Sequence, residues 1–268
     1  MVSTNGFGGS GGISRNLERA TNDVNKSLTR LATGKRINSA ADDAAGLAIA
    51  SQLANLGKLA DVGNLNISYG VSALQIADST LGQVSEVTTR LSELSAQSAN
   101  GTLSDEQRGA LSQEFEGLKA ELNRIAQTTE FNGVNLFSGQ ETNVQVNESS
   151  QIAVGGTNLT AFLDQVNSLN IGSQSGALAA VDATQNLSSQ VSSARGQIGA
   201  GLQRLDTAFK NNSATSENLR AAEARIRDSD VAEESANLTA AKIRQQSSLA
   251  VGAQGNRLTP DIVRSLLQ

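Results

Sequence analysis

Residues 104–125 read SDEQRGALSQEFEGLKAELNRI. Leu111, Phe115, Leu118, Leu122 and Ile125 recur in an unbroken 4-3-4-3 pattern, which lays one narrow apolar stripe along a helix. Ser104 and Gln107 have the spacing of a capping box, so the helix starts there. A stripe this narrow suits a partner helix better than a broad core face. Immediately upstream, Leu74, Ala77, Leu81, Val84, Leu91 and Ser98 keep the same spacing, with Thr88 and Ser95 filling the row, until Asn100-Gly101 stops it. The short connection makes the two helices antiparallel neighbours.

Downstream, FNGVNLFSG at 131–139 is rich in turn residues and reads as non-helical. Val144 and Val146, then Ile152 and Val154, alternate with polar residues on either side of 147–150, which predicts a β-hairpin over about 142–154. A short helix is expected over 160–168 and a joint over 170–176. Helix then returns with Ile198, Leu202, Leu205 and Phe209, is interrupted by the polar stretch 211–216, and resumes with Leu219, Ala222 and Ile226. Beyond Asp228 bulky apolar residues thin to Val231, Leu238, Ile243, Leu249 and Val251, and Thr259-Pro260 starts a last short helix containing Leu266 and Leu267.

At the other end, residues 1–12 are rich in Gly and Ser and read as irregular. Leu17, Val24 and Leu31 then repeat every seven residues with Leu28 beside them, and Gly34 is placed to end that helix. Residues 35–56 combine a polar turn with an Ala-rich helix. Helices with so little apolar surface are marginal alone, so each end is the other's natural partner. The predicted fold is mainly α, with long antiparallel helices in a coiled-coil or bundle arrangement, paired N- and C-terminal helices, and a small β-hairpin region.

Composition agrees and excludes much chemistry. Aromatics are 3% of the 268 residues, so any core is thin and aliphatic. The single Pro leaves nearly the whole chain free to be helical. With no Cys and no His, thiol nucleophiles, disulfides, the commonest metal ligands and the usual acid/base residue are missing, and no cofactor, metal or catalytic site is expected. The neighbouring carboxylates Asp42 and Asp43, and Glu233 and Glu234, point about 100° apart on a helix and do not make a catalytic pair. A net charge of -5 without a basic stripe argues against nucleic acid. No stretch is long and apolar enough for a membrane span, and the start lacks the pattern of a secretory signal, so on these grounds alone the chain reads as cytosolic.

The stretch LTRLATGKRINSAADDAAGLAIASQLAN at 28–55 closely resembles the N-terminal signature of bacterial flagellins. LSAQSAN at 94–100, TTEFNG at 128–133, RGQIGA at 195–200, ARIRDSD at 224–230 and VRSLL at 263–267 resemble further flagellin segments in the family's order. The resemblance implies a subunit that polymerises into the flagellar filament for motility. Residues 1–42 and 229–268 would form an inner coiled-coil layer. Residues 43–176, with the hairpin, and 177–228 would form an outer helical one, with no large variable outer domain. Leu17, Val24, Leu28, Leu31, Leu238, Leu249, Leu266 and Leu267 would make the assembly seam.

The resemblance also reverses the cytosolic reading. It implies export through the type III flagellar export apparatus without a cleaved signal, an extracellular location, and ends that fold on assembly. The implied partners are copies of the chain, a flagellin chaperone, the filament cap and the hook-filament junction proteins. A host innate immune receptor is a further one, with Arg90, Leu94, Gln97 and Glu114 matching the family's contact positions. The rival readings are a hook-filament junction protein, which shares the terminal helices, and an intracellular coiled-coil scaffold.

Overall fold

The computed structural model describes residues 8–266. Its elements, in order, are α1 (Gly8–Thr33), α2 (Ala44–Ser98), α3 (Asp105–Thr128), β1 (Glu130–Phe131), β2 (Val134–Asn135), β3 (Glu141–Gln145), β4 (Gln151–Gly155), α4 (Leu159–Asn167), α5 (Gln174–Arg227) and α6 (Val231–Leu266). The chain divides into two compact units. One is drawn from both ends of the chain, up to Leu56 and from Asn218; the other spans Gly57–Glu217. These divisions fall inside α2 and α5, not at the 42/43 and 228/229 positions read from the sequence.

In the terminal unit α1 packs antiparallel on α6: Arg30 pairs with Glu234, Asp23 with Arg244, and Thr21 with Gln245. α1 already begins at Gly8, inside the stretch expected to be irregular. Gly34, at φ +68°, ends α1 in the left-handed conformation that glycine adopts without strain. The turn that follows is fastened to the α5–α6 joint. Arg36 N donates to Arg227 O at 2.6 Å and Ser229 N to Gly34 O at 3.0 Å. The guanidinium groups cross over reciprocally, Arg36 Nη2 to Ile226 O at 2.9 Å and Arg227 Nε to Ile37 O at 3.2 Å. These bonds satisfy helix-end carbonyls and fasten the end of α5 to the turn after α1.

The central unit is a helical bundle with two β-hairpins. Leu74, Leu81, Val84 and Leu91 of α2, Phe115 and Leu122 of α3, and Leu187, Val191, Ile198 and Leu205 of α5 form its buried core. The capping box on α3 is formed, with Ser104 and Gln107 bonding each other's backbone N–H. Arg108, buried, closes the α2–α3 turn by donating to the carbonyls of Ser98 (3.1 Å), Asn100 (2.8 Å) and Leu103 (3.1 Å). The polar seam residues Thr88 and Ser95 are buried and return their hydroxyl protons to Val84 O and Leu91 O, both at 2.7 Å. β3 and β4 pair antiparallel, with Val144 opposite Ile152. β1 and β2 are joined at Asn132-Gly133, both at positive φ as a tight hairpin turn requires.

Three expected breaks are absent. The Ala-rich helix and the long helix after it are one 55-residue α2. α5 continues through 211–216, because Asn212 and Ser216 are buried seam residues with partners on α2: Ala60 O at 2.7 Å and Asp61 Oδ1 at 2.9 Å. α6 continues through Pro260 as a single helix, losing one backbone bond there.

Candidate assembly and recognition surfaces

On α1 the side chains Ile13, Leu17, Ala20, Val24, Ser27 and Leu31, spaced 4-3-4-3-4, are turned from solvent, with Thr21 and Arg30 half-buried beside them. On α6 the matching set is Glu234, Leu238, Ala241, Gln245, Ser248 and Gly252, with the same spacing. This is a coiled-coil seam made largely of small and polar residues. A Cβ on Gly252 would stand 3.3 Å from Ile13 Cγ2, so the helices approach closely at that end.

The structure thus brings Leu17, Val24, Leu31 and Leu238 to one contact. It does not bring Leu28 or Leu249, which are 45% and 53% exposed. Leu28 falls one residue after the seam position taken by Ser27 and Leu249 one after Ser248, so each is rotated about 100° off the contact line. The side chain of Leu266 and all of Leu267 lie outside the described residues. Ala20, Ser27, Glu234 and Ala241 give no apolar signal in the sequence. They emerge only by extending the 4-3 spacing through small and polar positions.

Glu234 is the charged member of the seam. Its carboxylate is almost fully buried and stands 3.5 Å from Arg30 Nη1, whose Nε donates to Arg36 O at 3.1 Å. Glu233 beside it is exposed, so the two carboxylates do not share a site. Asp42 and Asp43 also act separately. Asp43 Oδ1 accepts from Gly46 N at the start of α2, while Asp42 Oδ2 accepts from the backbone N–H of Ser39 (3.1 Å) and Asn38 (3.2 Å). Those bonds, with Lys26 3.3 Å away, hold the Asp42 carboxyl down at about 2.

The recognition set behaves differently. Arg90 is exposed and forks onto Glu114 (2.7 and 2.8 Å) and Glu93 (3.0 Å), which raises its pKa further. Gln97 is exposed near the end of α2. Leu94 is 1% exposed and belongs to the core, so its side chain is not offered to a partner; the seam spacing that runs through Leu91 turns it inward.

The helical ends match known families. Residues 9–142 match the model of the bacterial flagellin N-terminal helical region, and residues 181–267 that of the bacterial flagellin C-terminal helical region. A flagellin of Halalkalibacterium halodurans is 35% identical over 260 residues, covering 95% of each chain. The chain belongs to the bacterial flagellin family. The flagellar filament 33 kDa core protein of Treponema phagedenis is 31% identical over 94% of this chain and 95% of its own length. The crystal structure of Bacillus cereus flagellin shares the fold, with a TM-score of 0.51 at 23% identity over 55% of this chain and 88% of that one. As a flagellin, the chain is a structural subunit of the extracellular flagellar filament. Relatives that match it almost end to end include flagellins and filament core proteins, which sets the flagellin reading above the scaffold reading.

Proposed function

We propose that the terminal unit is the part of this flagellin that completes its folding on the growing filament, where it supplies the inner layer of the filament wall. One observation carries the reading: the α1–α6 seam holds few large apolar side chains, while Leu28, Val231, Ile243, Leu249 and Val251 stay exposed around it. A seam of that composition gives little stability by itself, and exposed apolar residues beside it gain most when neighbours cover them. Ordering on contact makes growth cooperative and subject to a concentration threshold.

The same weakness suits passage through the flagellum's own export apparatus in an unfolded state, with a flagellin chaperone holding α6 inside the cell, and with cap and hook-filament junction proteins meeting it outside. Catalysis has no part in this reading. Removing residues 229–268 abolishes filament growth and leaves a helical central unit by circular dichroism; filaments from the truncated chain would overturn it. Arg90, Gln97 and Glu114 are the exposed remainder of the recognition set, and we assign any receptor contact to them.

A further inference from the structure

Asn-Gly occurs three times in the sequence, at 5–6, 100–101 and 132–133. The first pair lies outside the described residues. In an Asn-Gly pair the main-chain nitrogen of the glycine can reach the side-chain amide carbon of the asparagine, because no Cβ crowds the approach and the main chain turns freely. Whether it does so in a folded chain depends on what holds the asparagine. The two described pairs are held very differently.

Asn100 is clamped. Its Oδ1 accepts from Thr102 N at 3.1 Å and from Thr102 Oγ1 at 3.0 Å. Its main-chain oxygen accepts from Arg108 Nη2 at 2.8 Å and from Leu103 N at 3.3 Å. Arg108 is buried, so turning the Asn100 peptide toward its own side chain would strand donors of a buried guanidinium.

Asn132 and Gly133 are both exposed, and a Cβ on Gly133 would meet nothing within 4 Å. Among the described residues, neither the Asn132 side chain nor Gly133 N finds a hydrogen-bond partner. Asn132 sits at φ +52°, a left-handed conformation that asparagine tolerates and does not prefer. The flanking strands are two residues each, pairing Glu130 with Asn135 and Phe131 with Val134. The fastening bonds lie at the base of this hairpin, from Leu136 N to Thr129 O at 3.1 Å and from Asn135 Nδ2 to Ala126 O at 2.9 Å. The tip can therefore open while the base stays closed.

We infer that Asn132 is a site of self-modification in the folded chain, where the side-chain amide is lost and an aspartyl or isoaspartyl residue replaces it. Gly133 N gives up its proton and bonds to Asn132 Cγ, and the side-chain nitrogen leaves as ammonia. The product is a five-membered cyclic imide spanning residues 132 and 133. Water then adds at one of the two imide carbonyls. Opening at the side-chain carbonyl leaves aspartate on the original main chain. Opening at the main-chain carbonyl leaves Gly133 attached through the side chain, and the main chain is longer by one carbon. In sum an amide and water become a carboxylate and ammonium, with no oxidant and no cofactor. Both products place a new negative charge beside the exposed Glu130. The isoaspartyl product also carries an extra main-chain atom that a two-residue turn cannot hold in register. In a subunit that stays in an extracellular filament the change accumulates with time.

The full-length purified chain, incubated folded in mildly alkaline buffer, is the material for the test. A Glu-specific protease releases 131–141 and 94–106, which carry the two pairs on separate peptides. Mass spectrometry follows the gain that marks amide turned to acid, fragment ions place it at 132 and not at Asn135, and chromatography separates the aspartyl and isoaspartyl isomers. A zero-time digest sets the amount formed in handling. Asn132 should convert about tenfold faster than Asn100 or more, because Asn100 must first break buried hydrogen bonds. In urea, where the clamp is gone, the two rates should converge. Gly133→Ala should slow conversion at 132 and leave the helical circular dichroism unchanged. Conversion at 132 no faster than at 100 in the folded chain, or conversion at 132 seen in urea alone, would overturn the inference and leave the filament reading untouched.

Discussion

Asn212 Nδ2 lies 2.7 Å from the main-chain oxygen of Ala60, across the seam between α5 and α2. The same amide reaches Asn64 Oδ1 at 3.2 Å and Val146 O at 3.3 Å. Beside it, Gly63 admits the hairpin backbone so closely that a Cβ there would stand 1.8 Å from Val146 O. Two helices and the end of a β-hairpin therefore meet at one buried polar node, which together with the buried Val144, Val146 and Val154 holds the ribbon against the bundle. A two-stranded ribbon alone would be marginal in water.

Substitution at the node should loosen the hairpin without disturbing α3. Asn212→Leu removes the donor that three acceptors share and should cost about 1–3 kcal/mol. Gly63→Ala forces the Val146 carbonyl away and should cost about as much through overpacking. Urea unfolding of the monomer, followed by circular dichroism, measures both. A Gly63→Ala chain that unfolds with the parent would show that the close approach is easily relieved.

Asp42 gives a pH dependence of defined sign. Its folded pKa, about 2, lies below the usual 3.8, so the folded state favours the ionised carboxylate. The stabilisation is fully present above about pH 4 and is lost as pH falls from there toward 2. Asp42→Asn should lower the thermal stability of the turn at neutral pH and flatten the parent's loss in that acid window. Melting curves of parent and variant that run parallel from pH 5 to pH 2 would contradict this assignment.

Arg90 and Leu94 sit four residues apart on α2, yet their substitutions should separate cleanly. Leu94→Ala opens a cavity in the central core and should cost about 2–5 kcal/mol, read as a lower melting temperature. Arg90→Ala breaks only exposed ion pairs, so its melting temperature should stay close to the parent's. If the outer face of α2 contacts an innate receptor, Arg90→Ala lowers the cellular response at unchanged stability. A response that follows melting temperature in both variants would place the effect in folding instead.

What the sequence displays depends on where a residue's partners lie. α3 is legible because its cap is local and its stripe is built of large apolar side chains. The hairpin is legible because alternation flanks a turn. The break expected at 211–216 fails because Asn212 and Ser216 look solvated until Ala60 O and Asp61 Oδ1 arrive from about 150 residues away. In the terminal seam, Leu17, Val24, Leu31 and Leu238 announce themselves, whereas Ala20, Ser27 and Ala241 are silent, and the bulk of Leu28 points to a position the contact does not use. A surface built on small residues becomes visible only when both helices are known.

Glu234 tests whether that seam has a fixed register. Small or polar residues at seven of the twelve seam positions leave two helices room to slide, and a single polar pair can select one alignment. Arg30 and Glu234 are placed to do so, since the carboxylate is almost fully buried and the guanidinium mostly so. Glu234→Ala leaves Arg30 without its partner and should weaken the terminal unit by about 1–3 kcal/mol. The double variant Arg30→Met, Glu234→Met should recover much of that loss, because it removes both desolvation costs together. The thermal dissociation temperature of assembled filaments would follow this order, and the double variant should show looser protection of α6 from proteolysis if register has been lost. A Glu234→Ala filament that dissociates with the parent would reduce the pair to an ordinary surface contact.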